Sequence, residues 1–537
     1  MKKLAILSIF ALAALLSLVP IGFALYPSTT PWSAYRHDAA HTGATLSSAP
    51  DTNQTLWRFP ASSTSTPLVV DGRVIFHDGS HIYAVDETTG AKLWECPTVY
   101  SALTESTYAD GRVFFGHANW IYGDGRLICV NVTTGAVIWE QPTNPYLVES
   151  SPTVHDGVVY ITTTGNYTRA FNATNGQYKW GYETGAPIHT SSPAADEDLL
   201  FFGSDDTKLY ALNISGPTPI SLWNFTANAA IRSSIAVDGG RVIFGTSNRM
   251  LYALNETTGA LIWSWSLTGP YGMYATVALA QREHPIVYAT SGAWYTNTIY
   301  ALLADVAPGN YTETDFEPRY WTKTLPSFLG SPVFADGKII IGSDNPDHAV
   351  YALDADDGST LWRWSMDKDL GDAVVADGRV FVCVSGGQGL YCIGEPFPPV
   401  TDHYIVNAGE TSFDVTVETN STVSDFNTTA LEAEGKISFG VAGINETTGM
   451  CNITIPNDML DGELNVTVDG GQPLYSAAPL NNGTHTSLYF TYNNTFPHAV
   501  EITGTTVIPE FPIIAILPML ITTLFMALVQ LKRKHNQ

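Results

Sequence analysis

A chain of 537 residues has room for about two to four ordinary domains. It is only 14% charged but carries a formal net charge of −26, which argues against a nucleic-acid partner. Aromatic residues at 12%, with 45 Gly and 31 Pro, exclude a disordered chain and fit a turn-rich sheet protein better than a helical bundle.

At the N-terminus, Lys2 and Lys3 precede an apolar run from Leu4 to about Val19, and Gly22-Phe23-Ala24 supplies the small residues of a cleavage site. Residues 1–24 read as a secretory signal peptide; an uncleaved anchor is the alternative, but Pro20 breaks the run early.

From about Thr66 to Ile393 one unit recurs. Its third copy reads Ser151-Pro152, Asp156-Gly157, Val158-Val159-Tyr160 and Ala170-Phe171-Asn172-Ala173-Thr174-Asn175-Gly176, and closes on Trp180. The closing position is held by Trp57, Trp94, Trp139, Trp180, Trp223, Trp263, Trp321 and Trp362, mostly about 40 residues apart, and several short strands at that period are the signature of a β-propeller. Asp-Gly pairs at Asp71, Asp110, Asp156, Asp238, Asp336 and Asp377 are expected to turn two-residue hairpins, because glycine takes positive φ without strain. Triplets such as Leu209-Tyr210-Ala211 alternate across a sheet; the small Ala lets neighbouring sheets approach, and Trp is an apolar plate able to fill the gap between them. Asp86, Asn131, Asn172, Asn213, Asn255 and Asp354 share one position, where a short side chain can cap the next turn. The four asparagines among them also head Asn-x-Ser/Thr sequons, so capping and glycosylation both account for them.

Leu56-Trp57-Arg58 precedes the first complete unit, and the last unit, Asp372 to Ile393, has no Trp. The expectation is an eight-bladed propeller over residues 31–394, its last blade completed by the N-terminal strand, which removes open edges. The sixth unit is irregular, with Glu283-His284 in the turn position and an insertion around Pro308 to Pro318.

The Ala-x-Asp-x-x-Thr-Gly-x-x-x-Trp pattern, complete in Ala84 to Trp94 and nearly so in Ala253 to Trp263 and Ala352 to Trp362, resembles the pyrroloquinoline-quinone (PQQ) repeat. Trp32-Ser33-Ala34-Tyr35-Arg36-His37-Asp38 to His41-Thr42-Gly43 looks like the lead-in of non-enzymatic members of that group. The resemblance covers residues 31 to 394 and implies the propeller fold but not the cofactor, since outer-membrane assembly scaffolds share the repeat without binding quinone. Quinoprotein dehydrogenases of this fold carry a vicinal disulfide, a Glu/Asn/Asp calcium site and a catalytic Asp. Here Cys96, Cys129, Cys383, Cys392 and Cys451 include no adjacent pair, and no Cys-x-x-Cys-His haem site occurs, so no catalytic, cofactor-binding or metal-ligating residue is carried over.

Cys383 and Cys392 flank Ser385-Gly386-Gly387-Gln388-Gly389, a stretch able to turn the chain back and set them on adjacent strands as a candidate disulfide. Residues just before each inner strand would line the mouth of a propeller funnel. They include Glu105, Glu149, His189, Arg232 and Asp372, a mixed-charge set able to hold a small polar ligand or a peptide. No spacing matches a metal-ligand or triad template, and solvated rim residues are the alternative.

Residues 395–402, with Pro396, Pro398 and Pro399, read as a stiff linker. Residues 403–505 alternate, as in Phe413-Asp414-Val415-Thr416-Val417, and predict a β-sandwich stalk with glycosylation candidates at Asn420, Asn427, Asn445, Asn452, Asn465, Asn482 and Asn493. Within residues 508–530, the uncharged run Ile513 to Val529 predicts a transmembrane helix, and Lys532, Arg533 and Lys534 in the tail 531–537 put the C-terminus in the cytoplasm. Pro509-Glu510-Phe511-Pro512 ahead of the span resembles the PEF-type sorting signals of archaeal surface proteins, which implies cleavage and a lipid anchor; the physics alone reads a membrane helix.

The functional expectation is a non-catalytic, single-pass, cell-surface-anchored propeller with its N-terminal domains outside, binding a surface protein, a glycan or an envelope component without a cofactor. The alternative is an outward-facing dehydrogenase dependent on PQQ and calcium.

Overall fold

The computed structural model describes residues 31–507 except 64, 99–103, 120–122, 144, 268–272, 274, 292–296, 313–318, 327–328, 396–399, 409–410, 443–447 and 494–496. The expected signal peptide, membrane helix, basic tail and sequon at Asn445 lie outside the described residues, as do residues 396–399 of the linker. The chain divides into two compact units, residues 1–50 with 59–390 and residues 51–58 with 391–537.

Among the described residues, all regular structure of the first unit is β-strand. Most strands form antiparallel sheets of four, each taking its strands in chain order from an inner edge to an outer one. In one of them Thr153–His155, Val158–Thr162, Tyr167–Asn172 and Tyr178–Glu183 pair in that order, which is the build of a propeller blade. Neighbouring sheets share buried clusters, such as Phe114, Leu127 and Cys129 with Val159, Ile161 and Phe171. Both turn residues take positive φ at Asp71-Gly72, Asp110-Gly111, Asp156-Gly157, Asp336-Gly337 and Asp377-Gly378. Asp238 differs from the expectation: it pairs with Arg241, and Gly239 and Gly240 make the turn, because two glycines take that conformation with less strain than Asp.

The repeated motif is a docking device. Ala84, Ala170, Ala211, Ala253, Ala301 and Ala352 each stand directly across a strand pair from the closing Trp and are fully buried; Cys129 takes that place opposite Trp139. The indole N–H of the Trp donates to a backbone carbonyl of the following sheet: Trp94 to Val132 O at 2.9 Å, Trp139 to Ala173 O at 3.1 Å, Trp223 to Glu256 O at 3.1 Å, Trp263 to Ala304 O at 3.1 Å and Trp321 to Ala355 O at 2.9 Å. Trp362 donates instead to Pro50 O at 2.8 Å. The Gly of the Thr-Gly pair lies flat on the preceding sheet's indole: a Cβ on Gly135 would meet Trp94 at 2.4 Å, and Gly259 would meet Trp223 at 2.6 Å. The carbonyl is held in place by the turn cap, in which Asp86 Oδ1 accepts the N–H of Thr88 and Thr89, and Asn131 Oδ1 that of Thr133 and Thr134.

The N-terminal segment runs past the inner strands in order. Trp32 pairs with Val69; Ser33, Ala39, Ala40, Thr42 and Gly43 accept the N–H groups of Tyr108, Ala195, Val237, Leu279 and Phe334; Ala44–Thr45 adds a parallel strand beside Val333–Ala335. Arg36 is buried and donates to Val277 O and Pro332 O, while Gly43, at φ +62, leaves room for it: a Cβ there would meet the guanidinium at 2.2 Å. His41, also buried, bonds Ile235 O at 3.0 Å and Thr153 Oγ1 at 3.2 Å, and burial pulls its pKa down to about 4. The lead-in motif is thus a hub that satisfies inner-edge backbone groups.

One further sheet runs Thr55–Phe59, Gly389–Gly394, Arg379–Val384, Val374–Ala376, with the strand carrying Trp57 outermost. The insertion of the sixth unit contributes Gly309–Thr312, which pairs in parallel with Leu261–Ser266 of the preceding sheet and covers its outer edge.

In the second unit, Val400–Ala408 opens a sheet with Thr411–Thr419, Thr448–Pro456 and His485–Asn493; Thr422–Asn427, Lys436–Ala442, His498–Thr503 and Asn465–Val468 form another. Val415, Ile453 and Phe490 of the first and Phe439, Val500 and Ile502 of the second meet in one buried core, as in a sandwich. Among the described residues no helix is long and apolar enough to cross a membrane.

Candidate functional site

Two residues ahead of the inner strands stand Thr66, Glu105, Ser151, Ser192, Ser234, Thr276, Ser331 and Asp372. A side chain at this position accepts the backbone N–H of its counterpart in the preceding sheet. Thr66 N–H donates to Glu105 Oε2 at 2.7 Å, Ser151 N–H to Ser192 Oγ at 2.9 Å, Ser192 N–H to Ser234 Oγ at 3.2 Å, Thr276 N–H to Ser331 Oγ at 3.3 Å and Ser331 N–H to Asp372 Oδ1 at 2.9 Å. The chain leaves its sheet here, so its N–H groups need side-chain acceptors. The product is a polar neck, mostly hydroxyls, with carboxylates at Glu105 and Asp372. Tyr35 of the hub places its hydroxyl 3.2 Å from Thr276 Oγ1. Gly330 makes room for Asp372, whose Oδ1 a Cβ would meet at 2.3 Å.

The neck and Tyr35 form part of the wall of a cup of about 770 Å³. Its acids are Glu105, Glu149, Asp344, Asp369 and Asp372, and among the described residues no Lys or Arg lines it. Burial pushes Glu105 up to about 8; its Thr66 hydrogen bonds pull the other way and the Asp372 charge adds to the rise. Burial also raises Glu149, against the pull of His189, and Asp344, against the N–H of Leu370 at 2.8 Å.

Of the residues singled out from sequence, Glu105, Glu149 and Asp372 line the cup. His189 Nδ1 lies 3.2 Å from Glu149 and its Nε2 3.6 Å from Asp205, and Arg232 grips both oxygens of Asp205 at 2.9 and 2.8 Å. Tyr35, Asp344 and Asp369 were missed. Aligning the regular units on their Asp-Gly turns, five residues downstream of the neck position, would have exposed Thr66, Glu105, Ser151, Ser331 and Asp372 as one set.

The disulfide expected between Cys383 and Cys392 is not formed: Cys383 is a free, buried thiol. Arg379–Val384 and Gly389–Gly394 are neighbouring strands of one sheet, and the thiol of Cys383 turns to the hydroxyls of Ser63 and Ser65.

A family model described as outer membrane protein assembly factor BamB matches residues 39–107, 78–218, 217–305 and 313–394. No curated protein matches the chain in sequence. Among solved structures, BamB from Moraxella catarrhalis is similar at 16% identity and a TM-score of 0.51, over 64% of this chain and 98% of that one. Quinohemoprotein alcohol dehydrogenase from Comamonas testosteroni is similar at 14% identity and a TM-score of 0.56, over 71% and 83%. A europium-containing methanol dehydrogenase is similar at 14% identity and a TM-score of 0.52, over 67% and 90%. At such identities the likeness is one of fold, shared by an assembly factor and by enzymes. The family model spans more than half of the chain, which therefore belongs to the PQQ_2 family of BamB-like repeat propellers.

Proposed function

We propose that the chain is a non-catalytic, surface-anchored recognition module: an eight-bladed propeller closed by its N-terminal strand, offering its cup to a surface protein, glycan or envelope component. The observation that carries this reading is the donor set of the cup. PQQ is a tricarboxylate, and the wall that would face it is lined with carboxylates and, among the described residues, by no Lys or Arg. Arg232, which faces Glu149, is engaged by Asp205, and Arg36, which faces Asp372, is buried in the hub and donates to the carbonyls of Val277 and Pro332. Two like-charged partners in one partly desolvated site repel rather than bind, so these residues do not fit the quinone. The likeness to the Comamonas testosteroni enzyme keeps the dehydrogenase as the second reading.

The deciding experiment titrates the purified full chain with PQQ and Ca²⁺, following quinone absorbance and dye reduction with alcohols and sugars. No saturable binding is expected; binding with turnover overturns the recognition reading. Protease shaving of intact cells tests the topology: release of the propeller from outside supports the signal peptide and C-terminal anchor, and full protection rejects them.

A further inference from the structure

Four of the turn caps leave one atom free. Asn131 Oδ1 accepts the N–H of Thr133 and Thr134 at 2.9 Å, Asn172 Oδ1 that of Thr174 and Asn175 at 2.9 and 3.1 Å, Asn213 Oδ1 that of Ser215 at 3.2 Å and Asn255 Oδ1 that of Thr258 at 2.9 Å. An N–H donates only to the oxygen of an amide, so the turn fixes how each side chain faces and Nδ2 points away from those donors. Among the described residues none of the four Nδ2 atoms makes a hydrogen bond, and none is buried. The sequon hydroxyls belong to Thr133, Thr174, Ser215 and Thr257, all exposed. Asn166-Tyr167-Thr168 differs, because its Thr168 is fully buried.

The four asparagines stand at the same end of consecutive sheets. The residues after them, Val132, Ala173, Ile214 and Glu256, donate their N–H to Gly111 O, Gly157 O, Asp198 O and Gly240 O of the first hairpin turn. That turn ends the inner strand that the neck begins, which puts the asparagines at the end away from the cup. The same end carries apolar surface. Val137, Tyr178 and Leu261 pair with Val130, Phe171 and Leu254, the residues just before Asn131, Asn172 and Asn255, and Ile220 pairs with Asn213 itself. All four of these large side chains are exposed on the fourth strand of their sheets. Where the cap is Asp86 or Asp354, which has no amide to modify, the matching place is polar, held by Lys92 and Thr360. Polar residues protect an outer strand by themselves, whereas exposed apolar ones invite association unless something covers them.

We infer that Asn131, Asn172, Asn213 and Asn255 carry N-linked oligosaccharides that cover these apolar side chains. A glycan is bulky and solubilising, and Nδ2 is the atom that bears it. The transfer joins Nδ2 to the anomeric carbon of a lipid-phosphate-linked oligosaccharide, breaks that carbon's bond to the phosphate oxygen and passes one Nδ2 proton to the released phosphate. Oδ1 keeps its turn throughout. The carbonyls of Val132, Ala173 and Glu256, which accept the indole N–H of Trp94, Trp139 and Trp223, therefore stay in place. The inference rests on the reading of the chain as a surface protein and adds a modification to it.

The test is glycopeptide mass spectrometry on the full chain purified from the membranes of the cells that make it. Peptides holding the four asparagines are expected to carry oligosaccharide mass, and the peptide of Asn166 to be bare. Asn131→Asp, Asn172→Asp, Asn213→Asp and Asn255→Asp keep the turn acceptor, as Asp86 does in its own sheet, and each is expected to remove one oligosaccharide without lowering the denaturation midpoint. Asn131→Ala, which removes the acceptor as well, is expected to lower it. The four Asp substitutions combined are expected to raise the sedimenting protein mass at least about twofold, as the uncovered side chains associate. Four bare asparagines beside a sugared Asn465 overturn the inference and leave the surface reading standing. A chain without sugar anywhere also overturns it, and protease shaving of intact cells then decides the surface reading separately. A combined variant that loses its sugars yet sediments as wild type overturns the covering role. The mass reading uses the wild-type chain, so it stands whether or not any variant folds.

Discussion

Trp263 offers the sharpest test of the docking device. Its side chain is 0% exposed, packs with Leu279, Val287 and Leu302 of the next sheet, and donates its indole N–H to Ala304 O at 3.1 Å. Trp263→Phe keeps a ring but removes the donor from a buried carbonyl, a loss of about 1–3 kcal/mol. Trp263→Ala removes the plate as well, and the cavity brings the loss to about 3–5 kcal/mol. Leu46→Ala, at a side chain 98% exposed, should stay within about 0.5 kcal/mol of wild type. All 13 tryptophans lie between positions 32 and 364, so urea denaturation followed by tryptophan fluorescence reports the repeat region, while residues 391–537 carry no tryptophan and stay silent. A Phe variant as stable as wild type, or an Ala variant no worse than Phe, would falsify the claim that the closing Trp docks one sheet to the next.

Gly135→Ala combines a Cβ 2.4 Å from Trp94 with a residue at φ +69, and should lose about 2–4 kcal/mol. Gly111→Ala, at φ +75 with open space around the new Cβ, should lose only about 1 kcal/mol; equal losses in the same denaturation assay would remove docking as the cause. Glu105 has a folded pKa near 8 against an ordinary 4.5, so the fold prefers its protonated form, and the stability this contributes below pH 4.5 is lost as pH rises to 8. Glu105→Gln, which keeps an acceptor for Thr66, should therefore gain on wild type by a few kcal/mol at about pH 9 and by almost nothing at about pH 4, read from denaturation midpoints. A gain that is the same at both ends would reject the buried carboxyl. Thiol reagents should modify half-buried Cys96 first in the native chain, whereas fully buried Cys129, Cys383 and Cys451 should react only on unfolding; early modification of Cys383 would contradict its place behind Ser63 and Ser65.

Local and periodic features were legible in the amino acids alone. Asp71-Gly72 makes its turn because those two residues tolerate positive φ wherever they stand, and Asn131 caps its turn with an oxygen two and three residues away. Repetition at one period then made a propeller readable from composition upward. Glu105, Glu149 and Asp372 could be singled out because each precedes an inner strand, a place defined within its own unit.

What the sequence hid was contact between distant residues. Cys383 and Cys392 flank a turn, but strand register decides which side chains meet, and the thiol of Cys383 faces Ser63 and Ser65 instead. The insertion near Pro308 read as an interruption, yet its strand finds the open edge beside Trp263. The hub was visible only as a motif: Arg36 meets carbonyls 241 and 296 residues away, and Tyr35 meets Thr276 across a similar span. Turn, cap and repeat follow from forces acting within a few residues. The cup, its sealing hub and its gathered acids exist only once separate sheets are brought together, and tertiary packing alone decides that.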